Sequence, residues 1–431
     1  MKKSKKLIFA AMIGNALEYY DFTLYGFFAA YLSSFYFPAE DPLTSKIASF
    51  GAFAAGFLMR PIGALVFGHL GDRYGRKTAL LISIFLMTLP TLAIGLLPTY
   101  AIIGFWAPLI IVLCRLTQGI CTAGEYTGAI VLIAEFNERY SPGFACSLLP
   151  ASSLIGAVVG TGLGAMCLID TMPVWAWRIP FIMGFVFGLL GLYLRTQLEE
   201  SPAFTNLVKH HKISDSPVFD VLKYQGRNFL CSMGVGAAAL APFYVISVYI
   251  NSLTPQVGLS PAQAMLLNVG ALLMWMMFIP SIGYFSDRIG LGKVMSWGSF
   301  LLMFVSVPMF LFVNYNVTLE KILLAQAIFS FCGAFYVAPF GAFLATKVFP
   351  ASHRYSGMAL GVSCGEALFG GTSPLIAAGL VALTGASCAP GFYLMFCGII
   401  GWAAVNFYKP LFLSRNYKNK ISSIPVTRNA A

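Results

Sequence analysis

Charge is what this sequence has least of. Of its 431 residues only 10% are Asp, Glu, Lys or Arg, against about a quarter in an ordinary globular protein, while 58% are hydrophobic. No soluble interior hides that much apolar surface, so a water-soluble globular domain is excluded. Histidine is scarcer still: His69, His210, His211 and His353 all fall at loops or at the ends of apolar runs, which argues against a metal site. The nine cysteines form no CxxC pair, and Cys114, Cys121, Cys231, Cys332 and Cys364 sit inside apolar runs as small packing residues. No phosphate-cradling loop and no nucleophile, metal or cofactor constellation stands at a plausible site, so an enzyme is not expected and no cofactor is implied. The opening MKKSKK and the apolar run behind it lack a small-residue cleavage site and contain acids, so they read as a retained first span and not as a removable signal.

What is there in abundance is apolar runs of span length. Each is about the 20 residues needed to cross a hydrocarbon core of about 30 Å, and runs such as TALLISIFLMTLPTLAIGLLP (78–98) lack the alternation of a barrel strand. Twelve helical spans are expected, at 7–35, 45–70, 78–98, 102–135, 143–169, 178–195, 228–252, 261–285, 294–313, 320–349, 355–383 and 389–412. With the N-terminus in the cytoplasm, every one of the 27 Lys and Arg residues falls inside except Lys46, Arg178 and Lys321 outside and Arg60 and Arg115 within spans. That bias fits the positive-inside rule and puts the C-terminus inside as well. The net charge of +11 therefore reports topology and contact with membrane lipid; no stripe of basic and aromatic residues suggests a nucleic-acid reader.

An internal repeat divides the chain. GHLGDRYGRK (68–77) stands between the second and third spans and GYFSDRIGLGK (283–293) between the eighth and ninth, with Asp72 and Asp287 separated by close to half the chain. The inference is an all-α membrane protein of twelve transmembrane helices in two pseudo-symmetric six-helix bundles. Residues 1–195 form the first bundle, 196–227 a polar cytoplasmic linker, 228–413 the second bundle, and 414–431 a short tail without heptads.

The loop GHLGDRYGRK resembles the signature between the second and third helices of the major facilitator superfamily. Together GNALEYYDF, AAGFLMRPIGALVFGHLGDRYGRK, RLTQGICTAGEYTGA, WAWRIPF and LEESPAF resemble the metabolite:proton symporter family, whose members carry proline, betaine, dicarboxylates, citrate or shikimate. The stretches 103–136 and 191–204 look most like its proline/betaine permeases. The resemblance implies the major facilitator fold and alternating access, in which two halves rock about a central site. The long osmosensory tail of some of those permeases has no counterpart here.

Chemistry concentrates in the few buried charges. Glu18 and Asp21 lie three apart, on one helix face, and an ionised acid in mid-membrane costs about 2.5–3.5 kcal/mol. Both are therefore expected to face the cavity between the halves. Two like charges this close oppose joint ionisation, which suits a transported proton; the alternative is that they only anchor arginines. Arg60 and Arg115 also lie deep in spans and need acids or a substrate carboxylate. Arg115 stands ten residues from Glu125, about 15 Å along one helix, so these two are not a mutual pair. Arg115 is the first candidate for a substrate carboxylate, with a structural salt bridge to the first span as the alternative. Glu125, among small residues, is a proton relay or a structural partner. Glu366 binds a cationic substrate group or snorkels toward the cytoplasm.

Aromatic faces hold ammonium groups well, and Tyr19, Tyr20 and Tyr25 with Phe243, Tyr244 and Tyr249 are candidates for such a cage. Trp106, Trp175 and Trp177 read as interfacial anchors. Asp72, Arg73, Arg76, Asp287, Arg288 and Glu135 are expected to gate: Asp72 accepts from a free helix N-terminus, while the basic residues and Lys77 pair with Glu135, Glu199 or Glu200 and hold the cytoplasmic side closed. Gly156, Gly160, Gly162 and Gly164 permit close helix approach. The expectation is a monomeric, proton-coupled symporter in the bacterial inner membrane. It imports a small carboxylate-bearing metabolite, a zwitterion such as proline or betaine, or alternatively a dicarboxylate such as 2-oxoglutarate. A passive channel would not need buried ionisable pairs together with two gating loops.

Overall fold

The computed structural model describes residues 2–38, 42–137, 141–167, 169, 171–197, 200, 202–209, 217–250, 257–259 and 261–408. The chain folds into α1 (Lys2–Tyr36), α2 (Pro42–Leu58), α3 (Arg60–Arg73), α4 (Arg76–Leu96), α5 (Tyr100–Ile103), α6 (Trp106–Asn137), α7 (Pro142–Cys167) and α8 (Arg178–Thr196). Two short helices follow, α9 (Pro202–Lys209) and α10 (Pro217–Tyr224). The second set is α11 (Gly226–Tyr244), α12 (Pro261–Ile289), α13 (Leu291–Tyr315), α14 (Leu319–Phe343), α15 (Arg354–Gly365), α16 (Ser373–Thr384) and α17 (Ala389–Asn406).

Among the described residues ten helices are long and apolar enough to cross a membrane. The other two places, first and eleventh in order, belong to α1, which carries Asn15, Glu18 and Asp21, and to the α15–α16 run. That run is broken by a π turn, Glu366–Gly370, closed by the Gly371 N–H donating to the Glu366 carbonyl at 2.8 Å. The second expected span is likewise interrupted, at Met59, just ahead of Arg60 and Pro61. Proline inside α4, α7, α11, α12, α13 and α14 is tolerated because neighbouring helices and local π turns satisfy the freed backbone groups. The tail beyond residue 408 and Glu199 of the linker lie outside the described residues.

The sequence repeat is visible in the backbone. Three residues beyond Asp72 and Asp287, Gly75 and Gly290 adopt φ of 112° and 117°, a region that only glycine enters cheaply. Each ends one helix and starts the next, α4 or α13.

Small residues set the packing inside the first bundle. Gly156 of α7 lies against Ala16 and Tyr20 of α1, Gly160 against Tyr20 and Gly164 against Phe28, while Gly162 faces open space. Asn15 ties the same helices, donating to the Leu149 carbonyl at 2.9 Å and to the hydroxyls of Ser152 and Ser153 at 2.9 and 2.7 Å. The two bundles meet along two seams, α7 with α12 and α3 with α15.

Candidate functional site

Between the bundles lies a cavity of about 70 Å³. A water needs about 10–15 Å³ on that measure, so the space suits a molecule of several non-hydrogen atoms. Glu18 and Tyr19 of α1, Arg60 of α3, Tyr126 of α6 and Ser153 of α7 line one side; Phe243 of α11, Trp275 of α12, Phe340 of α14, and Ser363 and Glu366 line the other. The charges are held by geometry. Arg60 Nη1 donates to Glu366 Oε2 at 2.5 Å, joining the two bundles across the cavity, and its guanidinium stacks 4.3 Å from the Phe57 ring centroid. The π turn that begins at Glu366 inserts a residue into the helix and re-aims that carboxylate into the cavity. Glu366 is therefore far from snorkelling.

The rings form a second feature. Phe243 and Trp275 stack at 5.2 Å and 10°, and Tyr126 and Phe340 at 6.2 Å and 16°. Gly333 makes room for the indole, since a Cβ there would come within 2.5 Å of it. Trp275 lay hidden among many aromatics; its mid-span position, away from the interfacial belt, is the signal that marks it.

The two acids of α1 part company. Glu18 lines the cavity, 3% exposed, with neither carboxylate oxygen hydrogen-bonded among the described residues. Asp21, equally buried, is not among the lining residues; it packs against Thr91 of α4 and Gly184 of α8. There it adjoins a polar chain: Arg115 donates to Gln118 Oε1 at 2.8 Å, and Gln118 donates to the Thr91 hydroxyl at 2.9 Å. Arg115 is fully buried, 4.9 and 5.1 Å from the ring centroids of Tyr25 and Phe53, and does not line the cavity. Nor do Tyr20 and Tyr25, whose hydroxyls donate to the carbonyls of Pro180 and Ser49 at 2.7 and 3.3 Å. Tyr244 is buried one layer out, edge-on to Phe57 and Phe243. The side chains of Glu125 and Tyr249 lie outside the described residues. Arg195, at the end of α8, reads in the sequence as a surface cation; it is 1% exposed and seated against Gly14, one turn from Glu18.

At the end of the molecule carrying the two Asp–Arg turns, the bundles cap each other's helices. Asp72 of α3 accepts from the Ser356 N–H at the start of α15 at 2.8 Å. Asp287 of α12 accepts from the Gly143 and Phe144 N–H groups at the start of α7 at 2.7 and 2.9 Å. Unpaired N–H groups and the helix dipole make these ends natural carboxylate partners. Arg76 is fully buried beside Asp72 (3.1 Å) and Glu135 (3.6 Å) and donates to the Ala351 carbonyl across the seam at 2.8 Å; Arg354 reaches Glu135 at 3.2 Å. Glu200 meets the backbone of the basic turn. It caps α4, accepting from the N–H groups of Arg76 and Lys77 at 3.1 and 3.2 Å, because Gly75 leaves those donors free. Arg73 is exposed over the Tyr74 ring, and Arg288 stacks on Tyr284 and donates to its hydroxyl.

Comparison with known proteins agrees in sequence and in fold. Residues 7–223 match the model of the Sugar (and other) transporter family. The chain is 36% identical over 420 residues to a proline/betaine transporter of Salmonella typhimurium, covering 93% of this chain and 82% of that one. It is 34% identical to the glycine betaine/proline/ectoine/pipecolic acid transporter of Dickeya dadantii, covering 94% and 83%. The fold superposes on the proton:xylose symporter of the major facilitator superfamily from Escherichia coli with a TM-score of 0.78 at 17% identity, covering 94% and 95%.

Proposed function

Because the chain belongs to the sugar (and other) transporter family of the major facilitator superfamily, we propose that it is a proton-coupled symporter. It imports a small zwitterion such as proline or betaine by alternating access. One observation carries the substrate class: the cavity lining combines one guanidinium, two carboxylates and stacked rings. A substrate carboxylate takes Arg60, and its ammonium takes Glu366 and the faces of Phe243 and Trp275, where cation–π attraction is worth about 0.5–2 kcal/mol. The Arg60–Glu366 bridge then becomes two bridges through the substrate. A dicarboxylate fits less well: it needs two cations, Arg115 is outside the lining, and Glu18 and Glu366 would repel it.

Glu18 and Asp21 act as one proton-carrying pair, Glu18 open to the cavity and Asp21 against the Thr91–Gln118–Arg115 chain. An ionised acid at this depth costs about 2.5–3.5 kcal/mol, and a proton removes that cost. The capped end faces the cytoplasm, as the distribution of Lys and Arg supports, so the state described here is closed to the cytoplasm. Residues 1–195 and 228–413 rock as the two bodies, joined by 196–227, in a monomer of the bacterial inner membrane with both termini inside. The activity is transport, not catalysis.

The test is uptake of labelled proline, betaine and 2-oxoglutarate into proteoliposomes with and without an inward proton gradient. Gradient-stimulated accumulation of a zwitterion is expected. Accumulation of 2-oxoglutarate alone, or flux indifferent to the gradient, overturns the reading.

A further inference from the structure

We propose that Tyr355 is the seal that keeps cytoplasmic protons from the acids of α1 while the carrier faces outward. It is a positioning residue for coupling that touches neither substrate nor gradient. The inference rests on the reading of Glu18 and Asp21 as proton carriers.

Tyr355 belongs to the second bundle, but its ring is fully buried in the first. Two glycines from different helices form its seat. A Cβ at Gly71 of α3 would overlap the ring, and a Cβ at Gly128 of α6 would come within 2.9 Å of it. The neighbouring residue, Ser356, is the one whose N–H the Asp72 carboxylate holds at 2.8 Å. Seating of the ring and capping of α15 are thus one event: when Asp72 releases the helix end, the ring leaves its notch.

The phenol lies within electrostatic reach of Glu18 and Arg195 on one side and of Asp72 and Arg76 on the other. Arg195 seats against Gly14, one turn of α1 from Glu18, where a Cβ would come within 2.5 Å of Nη2. The charged and titratable groups facing Glu18 are Arg60 from α3, Arg195 from α8, Asp21 and Tyr19 from α1 itself, Cys121 and Tyr126 from α6, and Tyr355 from α15. Glu366, also from the second bundle, shares the cavity lining but is held on Arg60; Tyr355 is the group from the second bundle that sits at the Asp72 seam. A water file from the cytosol to Glu18 has to pass it.

Among the described residues the second seam is built differently, with Phe144 edge-on to Tyr284 at its exposed rim. There Gly283 of α12 meets Ser147 of α7, and Gly143 meets Gly283 and Ser286, a contact of small groups at close range. The pseudo-symmetry of the fold is broken here.

The experiment uses the full-length chain in proteoliposomes loaded with a pH-sensitive dye, with an inward proton gradient and no substrate. Tyr355→Ala, which empties the notch, is expected to raise substrate-independent proton entry by at least about tenfold. Gly128→Ala, which displaces the ring from the other bundle, leaks in the same sense and decides the matter if Tyr355→Ala does not fold. Tyr355→Phe, which keeps the ring, stays tight. If Tyr355→Ala and Gly128→Ala are both as tight as the unmodified protein, the seal is refuted. Substrate-driven proton entry in the unmodified protein reports separately on symport, so the two readings fail separately.

Discussion

Arg60 and Glu366, 306 residues apart in the chain, meet at 2.5 Å across the central cavity, one from each bundle. Removing one partner of a buried pair leaves the other charge stranded, at a cost of about 3–5 kcal/mol. Arg60→Gln and Glu366→Gln should each lower the melting temperature of the purified protein, and the double variant should regain most of the loss while uptake stays abolished. A double variant no more stable than the worse single one would mean that the two charges are not energetically coupled.

Coupling is separable from binding. Glu18→Gln and Asp21→Asn are expected to lose accumulation driven by the proton gradient while still exchanging internal for external labelled substrate, a half-cycle that needs no net proton movement. Full gradient-driven accumulation in both variants removes the acid pair from the mechanism.

Asp72→Ala and Asp287→Ala each strip a helix end of its carboxylate. Loss of such a cap costs about 1 kcal/mol, enough to shift the balance toward the cytoplasm-open state about fivefold. With Ser363→Cys as a reporter in the cavity, labelling by an impermeant thiol reagent in inside-out vesicles should quicken in both. Unchanged labelling would remove the caps from the gate.

Gly156 and Gly162 sit in one glycine-rich stretch and should respond oppositely to alanine. At Gly156 a Cβ would come within 2.8 Å of the Tyr20 nitrogen, and overpacking of this kind costs about 1–3 kcal/mol. At Gly162 nothing lies within 4 Å, and alanine there gains helix propensity of about 0.5–1 kcal/mol. Thermal denaturation of the two variants measures the difference.

Much of this arrangement is legible in the residues themselves, for physical reasons. Acids and arginines inside apolar runs stand out because lipid does not tolerate them, and the Asp–Arg repeat with its glycine three residues on fixes where each bundle turns. What stayed hidden is direction. Glu18 and Asp21 share a helix face, yet one opens to the cavity and the other packs against Thr91, because three residues turn a helix far enough to separate two neighbours at a crowded interface. Arg195 and Arg354 look like loop cations until their burial is seen. The inward turn of Glu366 depends on a π turn that no local residue announces, and Trp275 and Tyr355 are single rings among 38 Phe and 20 Tyr.

The buried position of the Asp72 contact has a consequence for how the carrier meets its surroundings. Mobile ions weaken exposed charge contacts and hardly touch those enclosed by protein. Asp72, Arg76 and Glu135 are all enclosed, so swings in ionic strength leave that seam at nearly constant strength. At the Asp287 seam the contact with Phe144 is exposed, and ionic strength acts on that seam first.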